Sequence, residues 1–337
     1  SSSIHRNTTQ LIIVVNGDVA YYGLEKEYDM MRSFIRKLEE YLILKVPFLQ
    51  IKYIFIPGNH DCDFNVYSDE KHREKLMKSI NDRSMRKKNE TEFISKLNNF
   101  NKFRSDFPSI EAIASNNFFT RYDIKNGGHT ISLLAFNSVV YFDFKFHSDR
   151  MMIDEEIFHD IGHIKDSIVL SFTHYPMEWF EREDDNFYKY LLEKSDVVFM
   201  SHEHKNGIRK IIEKTDNCVF DLRVPAFYTS KYKNKSGFYF INIDTNTSAF
   251  SIKGFYLEGE IYLKSLENIH ENIKRTFKSN DAIIAINKSK YETLMMDNFI
   301  LLGHQDLNIG EIFVAPSIGI PYVDEDGYDY YEYIDFE

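Results

Sequence analysis

The chain has 337 residues, of which 43% are hydrophobic and 15% aromatic, and carries a formal net charge of −11. This composition excludes a disordered chain and suits one large domain plus an extension, while the acidic balance excludes a surface that binds nucleic acid along its whole length. No apolar run approaches the roughly eighteen residues a bilayer span requires, no signal peptide opens the chain, and Cys62 and Cys218 are too few for a disulfide framework. They read as free thiols, so the cytoplasm is the expected compartment.

Residues 11–16 (LIIVVN) are an apolar run without a breaker and predict a buried strand. Residues 25–43 follow with apolar positions at Tyr28, Met31, Ile35, Leu38 and Leu42, the steps of an amphipathic helix. Residues 51–56 (IKYIFI) predict a second strand, closed by Pro57-Gly58. Strand, helix and strand make a βαβ unit with parallel, neighbouring strands and a right-handed crossover. Residues 70–107 are charged and helical in pattern, a helical insertion lying on the body. Within it, residues 71–104 hold eleven Lys/Arg against four Asp/Glu, an excess of seven that leaves the remainder near −18.

Further strands are expected at 131–136, 167–173 and 196–200, with a helix near 183–194, then strands at 237–243 and 249–257 and a helix at 261–277. After about residue 280 the character changes. Residues 311–321 (EIFVAPSIGIP) contain two prolines and little periodicity, and residues 322–337 carry seven acidic residues, five tyrosines and no Lys or Arg. That end reads as an acidic extended tail or linker, outside the core.

Four predicted strands each run into a residue type that binds metals: Gly17-Asp18, Gly58-Asn59-His60-Asp61, His174, and His202-Glu203-His204. Each is ordinary alone. Gly-Asp after a strand is commonly a turn, Asn-His-Asp can cap a helix, and a single histidine is commonly a hydrogen-bonded one. In open α/β sheets, however, the loops at the carboxyl ends of strands converge on one edge. The order therefore predicts that Asp18, Asn59, His60, His174, His202 and His204 meet in space. Carboxylate, amide and imidazole donors without thiolate suit Mn, Fe or Zn better than Ca or a closed structural zinc and do not choose among the three; Mn is the ion expected.

In this order and rough spacing, the elements resemble the calcineurin-like metallophosphoesterase superfamily over about residues 10–260, as do the stretches NGDVAYYGLEKEYDMMRSFIRKL, FIPGNHDCDFN, ISLLAFNS and FTHYPMEWF. The resemblance implies an α/β fold of two packed mixed β-sheets flanked by helices, a four-layer sandwich, with the phosphoesterase domain over residues 1–265 and a C-terminal extension over 266–337. It implies a binuclear centre of two divalent metal ions. Asp18 would bridge them, Asn59, His174 and His202 would complete one site, and His204 would contribute to the other. His60 would stabilise the transition state or protonate the leaving oxygen, and Asp61 would hold the local turn or a ligand. Asn137 is an expected substrate contact. The family's opening Asp-x-His strand is absent: Ser3-Ile4-His5 lacks the acid and stands too close to residue 11 for a helix between. The expectation is that this strand lies upstream of Ser1. Ser201 stands where the family usually has Gly.

The implied activity is hydrolysis of a phosphodiester, by a nuclease or nucleotide phosphodiesterase. Two paired cations offset the substrate's charge and align an in-line displacement, and an imidazole titrates near working pH. A phosphomonoesterase and a degenerate regulatory or binding module are the alternatives. The basic insertion follows the Gly-Asn-His-Asp loop and should overhang the site, either as a solvated face or as a lid that draws in a nucleic acid or nucleotide through Arg83, Arg86, Lys87 and Lys88. Phe100, Phe103 and Phe107 have the spacing of a buried stripe more than of a base-stacking platform. The ending GEIFVAPSIGIPYVDEDGYDYYEYIDFE resembles the junction before a P-loop NTPase in some bacterial multidomain defence proteins. That implies an effector domain of a larger, oligomeric antiviral-defence protein.

Overall fold

In a computed structural model, the described residues are 10–126, 129–143, 152–153, 157–164, 167–180, 186–203, 207–212, 218–227, 236–245, 249–258, 261–272, 311–315, 321–323 and 329–331. Strand β1 (Gln10–Asn16) is buried from Leu11 onward. Its alternate side chains enter different apolar clusters, Leu11, Ile13 and Val15 in one and Ile12 and Val14 in the other. A strand with no polar face must lie between two layers, and that requirement sets the architecture. Helix α1 (Tyr28–Lys45) buries Tyr28, Met31, Ile35 and Leu42, which belong to the same cluster as Leu11 and Ile13. Strand β2 (Gln50–Ile56) then pairs in parallel with β1, Gln10 opposite Gln50 through Asn16 opposite Ile56, which completes the βαβ unit.

The insertion forms α2 (Glu70–Lys78), α3 (Arg83–Ser95) and α4 (Asn98–Arg104). Asp69 and Asp82 cap the first two, each carboxylate accepting from a backbone N–H of the first turn, His72 at 2.8 Å and Met85 at 3.1 Å. These helices do more than lie on the body. Leu76, Met77, Ile80, Phe93, Leu97, Phe100 and Phe103 are buried in the cluster that covers β1. Each helix commits only a narrow stripe, so the segment reads as polar overall. The Phe103 ring stacks on Tyr28 at 4.9 Å and meets Phe55 edge-on at 5.0 Å. Buried Phe100 and Phe103 are therefore core residues with no face left for a base. Lys96, also buried, donates to the Phe142 carbonyl at 2.6 Å.

The chain continues through β3 (Ala112–Ser115), β4 (Phe119–Asn126), β5 (His129–Phe136), α5 (Ile157–Ile161), β6 (Ser167–Thr173), α6 (Asn186–Lys194), β7 (Val197–Met200), β8 (Gly207–Ile212) and β9 (Cys218–Arg223). These strands build a seven-stranded sheet in the order β3-β4-β5-β6-β7-β9-β8, parallel at its centre. Strands β10 (Gly237–Asp244), β11 (Ala249–Glu258), β12 (Ile261–Asn272) and β13 (Glu311–Ala315) join β1 and β2 in a six-stranded mixed sheet, ordered β12-β11-β10-β13-β1-β2. Ile12, Val14, Ile54 and Ile56 of this sheet share an apolar core with Leu133, Leu170, Phe172, Phe199 and Leu222 of the other. Helix α6 packs on the far side, Phe187 against Phe136 at 4.9 Å. The layers run helix, sheet, sheet, helix, the expected four-layer α/β sandwich. A short pair, β14 (Pro321–Val323) with β15 (Asp329–Tyr331), lies near the chain end.

Strands β3, β4, β8 and β9 and helix α5 lie where the sequence reading placed no element, and two further stretches contradict it. Residues 261–272 are a strand, antiparallel to β11, where a helix is expected. Between Lys253 and Phe255 the register slips from Asn268 to Lys264. Ile261, Leu263, Leu266 and Ile269 therefore change from a two-residue to a three-residue step across the irregularity and imitate a helix. Residues 311–315 are a strand paired with β1 in parallel and β10 in antiparallel, although they fall in the stretch read as an extension. Five residues stopped by Pro316 are too short to show a period. No helix among the described residues is long and apolar enough to cross a membrane.

If the insertion shares the core, Phe103→Ala should lower stability by about 3–5 kcal/mol and leave urea unfolding as one transition. An early separate transition of the helices would show them to be an independent unit.

Candidate metal centre

The loops that follow β1, β2, β6 and β7 place Asp18, Asn59, His174 and His202 together. Asp18, His174 and His202 offer ligand atoms that all lie within 4.8 Å of one another. His174 Nε2 faces Asn59 Oδ1 at 3.0 Å, His202 Nδ1 at 3.2 Å and Asp18 Oδ2 at 3.4 Å. The other ring nitrogen, Nδ1, lies 3.1 Å from the Asn16 carbonyl. A ring protonated on Nδ1 donates to that carbonyl and leaves Nε2 a lone pair. In that form Asp18 Oδ2, Asn59 Oδ1 and His174 Nε2 aim electron pairs at one point, a set that could hold a cation. The donor set fits a borderline divalent ion.

The backbone is bent to achieve this. Among the described residues, the non-glycine positions with positive φ are Asp18 (56°) and His202 (62°). Such conformations cost on the order of 1–3 kcal/mol and persist where the surroundings impose them. Two glycines make the approach possible. At Gly58 a Cβ would stand 2.1 Å from Asp18 Oδ1, and at Gly17, itself at φ 96°, one would stand 2.2 Å from His174 Nδ1. These contacts explain why both motifs open with glycine.

Electrostatics follow from burial. Burial lowers the pKa of His174, outweighing the Asp18 carboxylate and the Asn16 carbonyl that raise it, and so favours the neutral ring that can ligate. Burial pushes the Asp18 carboxyl up, but His174, His60 and His202 together with the His60 N–H pull it below the usual range. Asp18 is therefore a carboxylate. Asp61 sits behind it with both oxygens occupied: Oδ1 accepts from Val19 N (3.1 Å), Ala20 N (2.9 Å) and Tyr28 OH (3.3 Å), and Oδ2 from Gly58 N (2.8 Å). Burial, with the Asp18 charge adding to it, pushes its pKa up to about 7 against the pull of those N–H groups. Asp61 thus joins the Asp18 loop to the Gly58 loop.

His60 is placed differently from the others. Its backbone N–H donates to Asp18 Oδ1 at 3.1 Å, while its ring stacks on Tyr21 at 5.2 Å with Nδ1 2.9 Å from the Tyr21 carbonyl. A ring protonated on Nδ1 donates to that carbonyl. His204 lies outside the described residues. Asn137 is engaged locally, its Nδ2 donating to Asn117 O at 2.9 Å and its Oδ1 accepting from Val139 N at 3.3 Å. Arg83, Lys87 and Lys88 are exposed on α3, and Arg86 donates to the Ile80 carbonyl at 2.6 Å. Asn99 of the insertion donates to Gly23 O (2.9 Å) and Asp63 (3.1 Å), which fastens the helices to the loops that carry Asp18 and His60.

Several contributors escaped the sequence reading. Glu27 Oε2 accepts from the N–H groups of Tyr21, Tyr22 and Leu24 and shapes the loop beyond Asp18. Arg223, at the end of β9, donates to both Glu178 and Glu203 and ties the segment after His174 to the segment after His202. Ser201 fits without glycine geometry, and its hydroxyl donates to the Asn16 carbonyl. Only Asn16 had a signal in the sequence, as the polar end of an otherwise apolar run.

The calcineurin-like phosphoesterase family profile matches residues 3–206, and the chain belongs to that family. No curated protein sequence matches it. One similar solved structure is a Staphylococcus aureus protein described as a candidate 5'-nucleotidase in complex with alpha-ketoglutarate. It shares 11% identity, covers 83% of this chain and 57% of its own, and superposes with a TM-score of 0.28. The chain thus spans little more than half that protein's length, a likeness too remote to bear on chemistry.

Gly58→Ala should weaken Mn(II) binding by about tenfold or more, because its methyl displaces the Asp18 carboxylate. Titration of metal-free protein, followed by the EPR signal of free Mn(II), checks this. Wild-type affinity would mean that Asp18 is no ligand.

Proposed function

We propose that this chain is a metal-dependent phosphodiesterase whose substrate is a nucleic acid strand or a nucleotide. The observation that supports it most is the convergence of Asp18, Asn59, His174 and His202 at the shared edge of two sheets. In this reading Asp18 bridges two divalent ions, Asn59, His174 and His202 complete one site, and His204 serves the other. The ions, with Mn favoured over Fe or Zn, would supply charge neutralisation and water activation to an anionic ester. His174, held neutral by burial, keeps its lone pair on the ion side. Asp61 holds the two carboxylate-bearing loops at fixed separation.

His60 acts on the substrate in this account. With Nδ1–H committed to the Tyr21 carbonyl, the ring can donate from Nε2 only as an imidazolium. In that form it offers a proton to the leaving oxygen and a positive charge to the phosphoryl oxygens. His60→Gln should retain Mn(II) with unchanged affinity yet lose about 10²–10⁴-fold in turnover of a small activated phosphodiester. Loss of the ion would place His60 among the ligands, and unchanged turnover would remove it from the mechanism. Faster wild-type turnover of the matching monoester would assign the enzyme to monoesters.

The polyanion preference is supported by the insertion. Lys71, Lys75 and Lys78, four and three residues apart, share one exposed face of α2, and Lys88 is exposed on α3. Reversing Lys71, Lys75 and Lys78 to Glu should raise KM for an oligonucleotide about tenfold or more at low salt, an effect that fades as salt rises. Hydrolysis of a small diester should be unchanged. Equal effects on both substrates would assign these lysines to folding, and no effect would leave them a solvated face.

A further inference from the structure

Asn16 closes the apolar run of β1 as a fully buried amide, and its side chain and carbonyl reach from the six-stranded sheet to the seven-stranded one. Nδ2 donates to the Thr173 carbonyl on β6 at 3.0 Å and to the Phe199 carbonyl on β7 at 3.3 Å. Its main-chain oxygen lies 3.1 Å from His174 Nδ1 and accepts from the Ser201 hydroxyl. Thr173 immediately precedes His174, Ser201 immediately precedes His202, and Asn16 itself stands two residues before Asp18. One residue thus contacts each histidine-bearing segment beside its ligand.

Two carbonyls can be met only by the NH₂ side of the amide, which fixes its orientation. The other side gains nothing from the described residues, among which buried Asn16 Oδ1 has no hydrogen-bond partner. An apolar side chain of the same shape would avoid that loss. It would also forgo the two bonds to Thr173 and Phe199, so core stability draws both ways, whereas the position of the amide points one way. Elsewhere the two sheets meet mainly through apolar side chains such as Ile12, Ile54, Leu170 and Phe199, with Tyr239 donating to the Arg223 carbonyl at 3.1 Å. Apolar burial is non-directional, but metal ligation tolerates errors of only about 0.2 Å. Directional bonds across the gap supply what apolar packing does not.

We infer that Asn16 is a positioning residue for metal binding. It clamps the two sheets where Asp18 and Asn59 of one must share an ion with His174 and His202 of the other. It also holds His174 as the Nδ1–H tautomer, with Ser201 as a second donor to the same carbonyl. The inference rests on the metal reading of the site.

Metal-free wild type, Asn16→Leu, Asn16→Ser and the core variant Ile241→Val are titrated with Mn(II). Fluorescence of Trp179, the sole tryptophan, with its ring 4.8 Å from that of His202, reports that each variant is folded. Asn16→Leu should weaken Mn(II) by about 10–100-fold and Asn16→Ser, which keeps one donor, by less. Ile241→Val should lower Tm yet leave affinity within about twofold, because its loss is remote from the donors. The ¹⁵N resonances of His174 in metal-free wild type should show a protonated Nδ1 and a bare Nε2, and Asn16→Leu should admit the other tautomer. An Asn16→Leu affinity matching that of Ile241→Val, or a wild-type proton on Nε2, would overturn the clamp. Should Asn16→Leu not fold, Asn16→Ser and the wild-type tautomer still decide. Failure of wild type to bind Mn(II) would instead sink the metal reading, and the tautomer would still judge the clamp.

Discussion

Lone pairs brought to one buried point repel unless something positive stands among them, and this chain brings together at least three. Asp18 and Asn59 come from one sheet and His174 from the other, with Asn59 Oδ1 and Asp18 Oδ2 at 3.0 and 3.4 Å from His174 Nε2. Much of the local structure follows from holding that arrangement. Asp18 and His202 adopt left-handed backbone. Gly17 and Gly58 give up side chains so that neighbours can approach, and Asp61 uses both oxygens to bind four donors in three segments. The left-handed backbone at Asp18 and His202 conflicts with a local preference. Such conflicts belong at functional sites, where the rest of the core sustains them.

That core is correspondingly large. Strand β1 is buried on both faces, so the segment leading into Asp18 has little freedom to shift. The basic helices add a second brace. Phe93, Phe100 and Phe103 anchor them beneath the surface, while Asn99 and Lys96 grip the loops beside the site. Their positive charge is therefore carried on a rigid body close to the chemistry, and buried aromatic residues and exposed lysines are separate properties of the same helices.

The parts of this arrangement that could be read from sequence are those with a local signature. LIIVVN, IKYIFI and SIVLSFT announce buried strands because apolar residues dominate them, with only Lys52 and Ser171 as interior polar positions, and their ends mark Asp18, Asn59 and His174. Strand β4 was missed because Arg121 and Asp123 pair with each other on one face, at 2.7 Å, and dilute its apolar pattern. Strand β12 was misread where an irregularity breaks the alternation. The supporting residues were the least legible. Arg223 and Ser201 act through partners far away in sequence, up to 185 residues between Ser201 and Asn16, and no spacing rule reaches that far, while Glu27 acts on N–H groups of its own loop that no periodicity marks. The His60 ring was expected near the substrate, yet its packing on Tyr21 depends on a loop path that only tertiary structure reveals.

The account stands on one location for a cation, and anomalous diffraction from crystals of this chain soaked in Mn(II) examines that location directly. A peak bounded by Asp18 Oδ2, Asn59 Oδ1, His174 Nε2 and the His202 ring is the predicted result. An empty difference map there, with Mn(II) bound only at exposed acidic side chains elsewhere, would contradict it.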